Sequence, residues 1–245
     1  VPARRPWGLP QDTGRRSSAD SHRRKFGISM KMGSIALVIS LLLGVPMGIL
    51  QAKYKNGAFD NAGTVYTIFV NAVPSLVSYS LVLVLGVKVF GLPSMYSTRQ
   101  ALRSSIMPVI CLALGSIASY ALWMRRYMID ELTKDYIKLA KIKGLSSRTI
   151  MFRHVLRNAF VPMAQNLPSS FMLTISGSLL VERFFSVPGM GPLLTDAITR
   201  YDLNMVRGLV LLYSLLGVFG LFLGDVLMTI FDPRIRLTGK SGDTR

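Results

Sequence analysis

Apolar residues run along this chain in long blocks instead of alternating with polar ones. Uncharged stretches occupy residues 32–52, 64–87, 104–124, 159–181 and 208–224, and the last continues past a single acid, Asp225, to Phe231. An α-helix rises 1.5 Å per residue, so about 20 apolar residues cross ~30 Å of hydrocarbon. Inside lipid every backbone N–H and C=O must bond within its own segment, which makes these blocks helices. The pattern predicts an all-α membrane protein, a polytopic bundle of five transmembrane helices at about 30–52, 64–88, 104–124, 159–181 and 206–231. Surface helices of a water-soluble protein would each carry a polar face. These blocks do not.

The polar segment 125–158 is too long for a turn between two spans. Apolar residues at Ile129, Leu132, Tyr136, Leu139 and Ala140 recur at helical spacing, predicting an amphipathic helix that continues from the third span. Gly144 ends it, as a glycine just past a helix C-terminus does. Lys141 and Lys143 lie in its last turn, where cations suit the helix dipole. Ser146 caps a second helix from about Ser147 to Asn158. The expected object is a helix–turn–helix projecting from the membrane. An amphipathic helix lying on the membrane surface fits the same periodicity.

Charge orients the bundle. The chain carries 29 Lys and Arg against 12 Asp and Glu, a net +17. Cytoplasmic loops are enriched in Lys and Arg. With the C-terminus inside, fifteen basic residues face inward and fourteen outward, eight of the outer ones in the N-terminal segment. Without that segment the bias is fifteen to six, which puts the 125–158 loop and a short tail, 237–245, in the cytoplasm. Residues 1–27 read as an unstructured basic tail on the disfavoured side. Two readings of it stand: the chain lacks an upstream span, or the tail is not native sequence. A nucleic-acid arm would need aromatics or periodicity beyond Trp7, and no apolar signal-peptide region is visible. Cys111 has no partner for a disulfide, and half the residues are apolar, which excludes disorder for most of the chain.

The loop also carries a resemblance. The run Asp135-Tyr136-Ile137-Lys138-Leu139-Ala140-Lys141-Ile142-Lys143-Gly144-Leu145-Ser146, followed by Arg153 through Asn158 to Pro162, resembles the coupling loop of ABC-importer permeases, in the form found in the dipeptide/oligopeptide group. Ala140, Gly144 and Pro162 match the general pattern; Lys138 and Leu139 stand where its name-giving Glu and first Ala would be, as they do in the peptide group. Val181-Glu182-Arg183-Phe184-Phe185-Ser186-Val187-Pro188-Gly189-Met190-Gly191 and Gly224-Asp225 with Asp232-Pro233-Arg234-Ile235-Arg236 fit the same group, so the likeness covers roughly 28–240. It implies a permease domain over 28–236 from a family with six spans, so that the first span would be missing here. It further implies a second permease subunit, two cytoplasmic ATPases that hold ATP and Mg, and an extracytoplasmic solute-binding protein, with no cofactor on this chain. Asp135, Tyr136, Ala140, Lys143, Gly144, Leu145, Arg153, Asn158 and Pro162 would form the ATPase-coupling loop.

Within the spans, Asn166, Ser170, Thr174 and Ser178 recur every fourth residue and share one face, and Asn71, Ser75 and Ser78 cluster around Pro74. Such stripes either line a translocation path or bond across packed helices. Small residues at Ser40/Gly44/Gly48, Cys111/Gly115/Ser119 and Gly220/Gly224 read as packing seams. Asp225 suits an interfacial hydrogen bond or a pair with Arg234 or Arg236, or else a proton relay. His22, His154 and Cys111 form no metal-ligand spacing. Gly239-Lys240-Ser241 lacks the upstream glycine of a phosphate loop, and Gly189-Met190-Gly191 reads as a turn. The expectation is a non-hydrolytic permease subunit of an ATP-driven peptide importer in a prokaryotic plasma membrane, in contact with lipid and not with nucleic acid. A permease for nickel or another small solute shares its motifs, and an ATP-independent secondary transporter would need charged residues or broken helices at mid-membrane.

Overall fold

A computed structural model describes residues 12–175 and 178–231, and every regular element among them is helical. The first helix, α1, spans Asp12–Lys53, so it takes in residues 12–27 that the sequence assigned to an unstructured tail. Residues 1–11, 237–245 and the Asp232–Arg236 motif lie outside the described residues, as does the Gly239-Lys240-Ser241 tripeptide.

The second expected span is not one rod. Helices α2 (Ala58–Ala72) and α3 (Ser75–Phe90) meet at 108°. Pro74 is the cause: the ring forces the preceding residue out of the helical region, and Val73 is extended at φ −78°, ψ 127°. Helix α3 closes on Gly91, left-handed at φ 60°. Helix α4, Ala101–Leu132, is the third long rod. Near its end Trp123 stacks on Tyr127 at 5.7 Å and takes Arg126 on its other contact at 5.5 Å, the aromatic-plus-basic signature of a membrane boundary.

Beyond α4 come α5 (Asp135–Ile142) and a single turn, α6 (Ser147–Thr149). The latter runs through a π-helical stretch, Ile150–Val155, into α7 (Leu156–Ile175). Short helices α8 (Leu179–Phe184) and α9 (Met190–Thr199) lead to the last rod, α10 (Leu203–Phe231).

Among the described residues three helices are long and apolar enough to cross a membrane, or four if the bent pair counts as one span. The expected span at 159–181 is not among them: its described part, α7 (Leu156–Ile175), carries Asn158, Gln165, Asn166 and Ser170. It packs against α1, α4 and α10, where Gln165 and Ser170 are half-buried, while Asn158 and Asn166 are exposed.

Two of the three small-residue seams are contact faces. Helix α1 lies along α4 with a Cβ on Gly44 only 2.8 Å from the Ile117 carbonyl oxygen, and one on Gly48 2.5 Å from that of Ala121. Gly220 likewise sits against Ser169 of α7. The Cys111/Gly115/Ser119 seam does not hold: Gly115 and Ser119 are exposed, and the contact face of α4 runs through Ala113, Ala118 and Ala121. Both faces are small, and the difference is one of helix rotation that spacing alone does not fix.

Candidate functional site

The elbow between α4 and α7 is built from local rules and held by a buried cluster. Helix α4 stops at Thr133, and Lys134 is extended at φ −66°, ψ 146°, so the long amphipathic helix expected over 125–143 is broken in two. Gly144 takes φ 76°, the left-handed conformation that glycine alone adopts without strain. Its N–H bonds the Lys141 oxygen at 3.0 Å and the Leu145 N–H bonds the Ala140 oxygen at 3.2 Å, a complete Schellman closure. The next helix starts on the predicted cap, Ser146 Oγ accepting from the Thr149 N–H at 3.2 Å. The π-helical stretch has no sequence signal, since i→i+5 bonding leaves no distinct periodicity over six residues.

One side of α5 faces the bundle. Ile137 is 0% and Ala140 7% exposed, and both join Met124, Met128, Ile150, Val155 and Met163 in one apolar cluster. The other side faces away. Leu139 is 58%, Ile142 81% and Leu145 40% exposed, and Lys143 and Arg153 are exposed as well. The Asp135–Lys138 pair at 2.8 Å is exposed on both sides and contributes little.

Tyr136 and Asn158 meet a third residue that the sequence did not single out. Tyr136 Oη donates to Glu131 Oε1 at 2.5 Å, while Asn158 Nδ2 donates to both, at 3.1 Å to Glu131 Oε1 and 2.8 Å to Tyr136 Oη. Desolvation first, and then the Glu131 carboxylate, push the Tyr136 phenol up to about 12, so it keeps its proton and its donor role at neutral pH. Pro162 lies one turn further along α7, inside the helix.

The polar stripes do not form one surface. The bend at Pro74 separates Asn71 on α2 from Ser75 and Ser78 on α3. Asn71 instead joins Gln51, Thr64, Thr67 and Arg125 around a cavity of about 540 Å³. On α7, Asn166 is exposed and donates to the Pro162 oxygen at 3.1 Å. The Ser170 carbonyl oxygen accepts from Thr174 Oγ1 at 2.7 Å. Thr174 and Ser178 share a smaller cavity of about 240 Å³ with Ser116, and Ser178 lies beyond the end of α7 as the cap of α8. Asp225 accepts from Gln165 Nε2 at 3.0 Å, an interfacial hydrogen bond; Arg234 and Arg236 lie outside the described residues.

Two further polar nodes were missed. Asp60 is 2% exposed and takes both Arg125 Nε at 2.5 Å and a second guanidinium N–H at 2.8 Å, fastening the first turn of α2 to the elbow end of α4. The only signal was an acid opening an apolar block. At the opposite end Glu182 is 2% exposed, and its Oε2 accepts the Gly191 N–H at 2.8 Å. Ser29 Oγ takes the Met190 N–H at 2.9 Å, and Tyr213 Oη donates to the Met190 oxygen at 3.1 Å. The Gly189-Met190-Gly191 turn is thus where α1, α8, α9 and α10 meet. Burial raises the Glu182 carboxyl above its ordinary range, partly offset by hydrogen bonds from Ser29 and Gly191.

A helical bundle with membrane-length rods and a buttressed elbow at the end of one of them, α4, is a multi-pass membrane protein. The profile described as binding-protein-dependent transport system inner membrane component matches residues 44–237, and the chain belongs to that family. It is 37% identical over 212 residues to the oligopeptide transport system permease protein AmiC of Streptococcus pneumoniae, covering 86% of this chain and 42% of AmiC. To the dipeptide transport system permease protein DppB of Bacillus subtilis it is 32% identical over 224 residues, covering 90% of this chain and 71% of DppB. The chain therefore spans under half the length of AmiC. Its fold matches a chain of the inward-facing MetNI methionine ABC transporter with a TM-score of 0.68 at 13% identity, over 85% of this chain and 94% of that one. An amino acid ABC transporter with histidines matches at TM-score 0.65 and 16% identity, over 93% and 100%. The resemblance read from the loop and its flanking motifs holds.

Proposed function

We propose that this chain is a membrane-embedded permease subunit of an ATP-driven importer and that it passes di- or oligopeptides across the plasma membrane. The names of AmiC and DppB support the substrate class. In this reading the elbow faces the cytoplasm and docks on one of two ATPase subunits that hold ATP and Mg. A second permease subunit completes the path, and an extracytoplasmic binding protein delivers the solute. The observation that carries the reading is the outward pair Leu139 and Ile142 on a short helix outside the membrane-length rods, with exposed Leu145 just past its closing turn. Apolar anchors at helical spacing with a basic rim are what a groove on a partner receives. ATP-driven closure of that groove would move the elbow, and the elbow would carry α4 and α7 with it. Asn71 and its carboxamide and hydroxyl neighbours offer neutral groups suited to a peptide backbone.

Co-purification with the ATPase tests it. Ile142→Glu alters a side chain with almost no intramolecular packing, so folding stays within about 0.5 kcal/mol. Capture of the ATPase falls about 30-fold, the equivalent of a 2 kcal/mol anchor. Undiminished capture by both Ile142→Glu and Leu139→Glu would remove the elbow from the interface.

A further inference from the structure

The triangle of Glu131, Tyr136 and Asn158 joins the ends of three helices, α4, α5 and α7. Glu131 stands one residue before the end of α4, Tyr136 is the second residue of α5, and Asn158 is the third of α7. Between Glu131 and Tyr136 the chain is non-helical at Thr133 and Lys134. A short helix beyond such a break swings about it unless something spans the gap.

The side chains span it with a closed triangle of hydrogen bonds. The carboxylate accepts, the phenol donates to Glu131 and accepts from Asn158, and the Asn158 amide nitrogen donates toward the adjoining Glu131 and Tyr136 oxygens. An ionised acceptor shortens and strengthens such bonds, in keeping with the 2.5 Å contact. Apolar packing beneath α5, through Ile137 and Ala140, holds the helix down but has no directionality to fix its angle. Hydrogen bonds do have that directionality.

We infer that Glu131 is a positioning residue for energy transmission: with Tyr136 and Asn158 it clasps α5 to the ends of α4 and α7, so that a push on the elbow moves both rods together. The inference rests on the permease reading. It assigns Glu131 no contact with ATPase or solute; its effect passes through the angle of α5. With the clasp open, the docked helix tilts about Thr133–Lys134, and ATP is hydrolysed without a matching movement of the spans.

The test uses the assembled transporter in proteoliposomes with its binding protein, measuring ATP hydrolysis and solute uptake in the same vesicles, together with the ATPase content of the purified complex. Glu131→Ala is expected to keep its ATPase and its hydrolysis within about twofold, while uptake per ATP falls about tenfold, a typical coupling energy between sites. Glu131→Gln retains an oxygen that accepts both bonds, and it restores uptake per ATP to within about twofold of the original chain. Tyr136→Phe removes a single oxygen and serves if Glu131→Ala fails to fold; it too lowers the ratio. Joined to Glu131→Ala it adds nothing, because both act through one clasp. An unchanged ratio in Glu131→Ala and Tyr136→Phe overturns the inference, and so does loss of bound ATPase in Glu131→Ala, which would make Glu131 a docking residue. Failure of the unaltered chain to retain any ATPase overturns the permease reading instead.

Discussion

Gly144 shows how a single residue sets the shape of the elbow. Its φ of 76° is strained for any side chain with a Cβ, yet a Cβ built there meets nothing within 4 Å. The requirement is therefore conformational and not steric. Gly144→Val is expected to cost about 1–2 kcal/mol, the penalty of the left-handed region for L-residues, and Gly144→Asn well under half of that. Thermal unfolding of the detergent-purified chain checks the order; equal costs for Val and Asn would show that crowding, not φ, is the constraint. The turn and the Ser146 cap were legible because glycine and serine act through local backbone geometry. Glu131 was not, because its partners are supplied by residues 5 and 27 positions away.

At the scale of elements the distinction is between periodicity and rotation. Spacing at four residues marked three seams, but only the neighbour decides which face of a helix is in contact. Gly48 and Gly115 separate the two cases. A Cβ on Gly48 falls 2.5 Å from the Ala121 oxygen and 2.8 Å from Met124 Cβ, whereas on Gly115 it meets nothing within 4 Å. Gly48→Ala should push α1 off α4 and destabilise by about 1–3 kcal/mol. Gly115→Ala should be neutral or gain up to about 1 kcal/mol of helix propensity. Denaturation in mixed micelles reads the difference, and matched effects would mean that the α1–α4 seam lies elsewhere. Pro74 belongs to the same scale: its ring breaks the second apolar block into α2 and α3, and it disperses a stripe that looked continuous as Asn71, Ser75 and Ser78.

Over the whole molecule two polar nodes brace opposite ends of the bundle, Asp60 with Arg125 at the elbow end and Glu182 with Ser29 and the α9 turn at the other. The second has a pH signature. The folded state binds the Glu182 proton more tightly than the unfolded chain, since burial raises its carboxyl. Stability from this group is full below the unfolded pKa and drains as pH rises through the raised folded value. Glu182→Gln stays neutral throughout, so its Tm minus that of the original chain should grow from about pH 4 to about pH 7. A difference that does not change with pH would mean that Glu182 folds without a raised pKa. Membrane class, helical content and the glycine-hinged elbow were determined by the sequence itself, because lipid insolubility of a bare backbone and the φ of one glycine are local facts. Only the tertiary structure decided which face of α4 meets α1 and the pairing of Glu131, Asp60 and Glu182. Each of these depends on what a distant segment places alongside, and no window of sequence contains that.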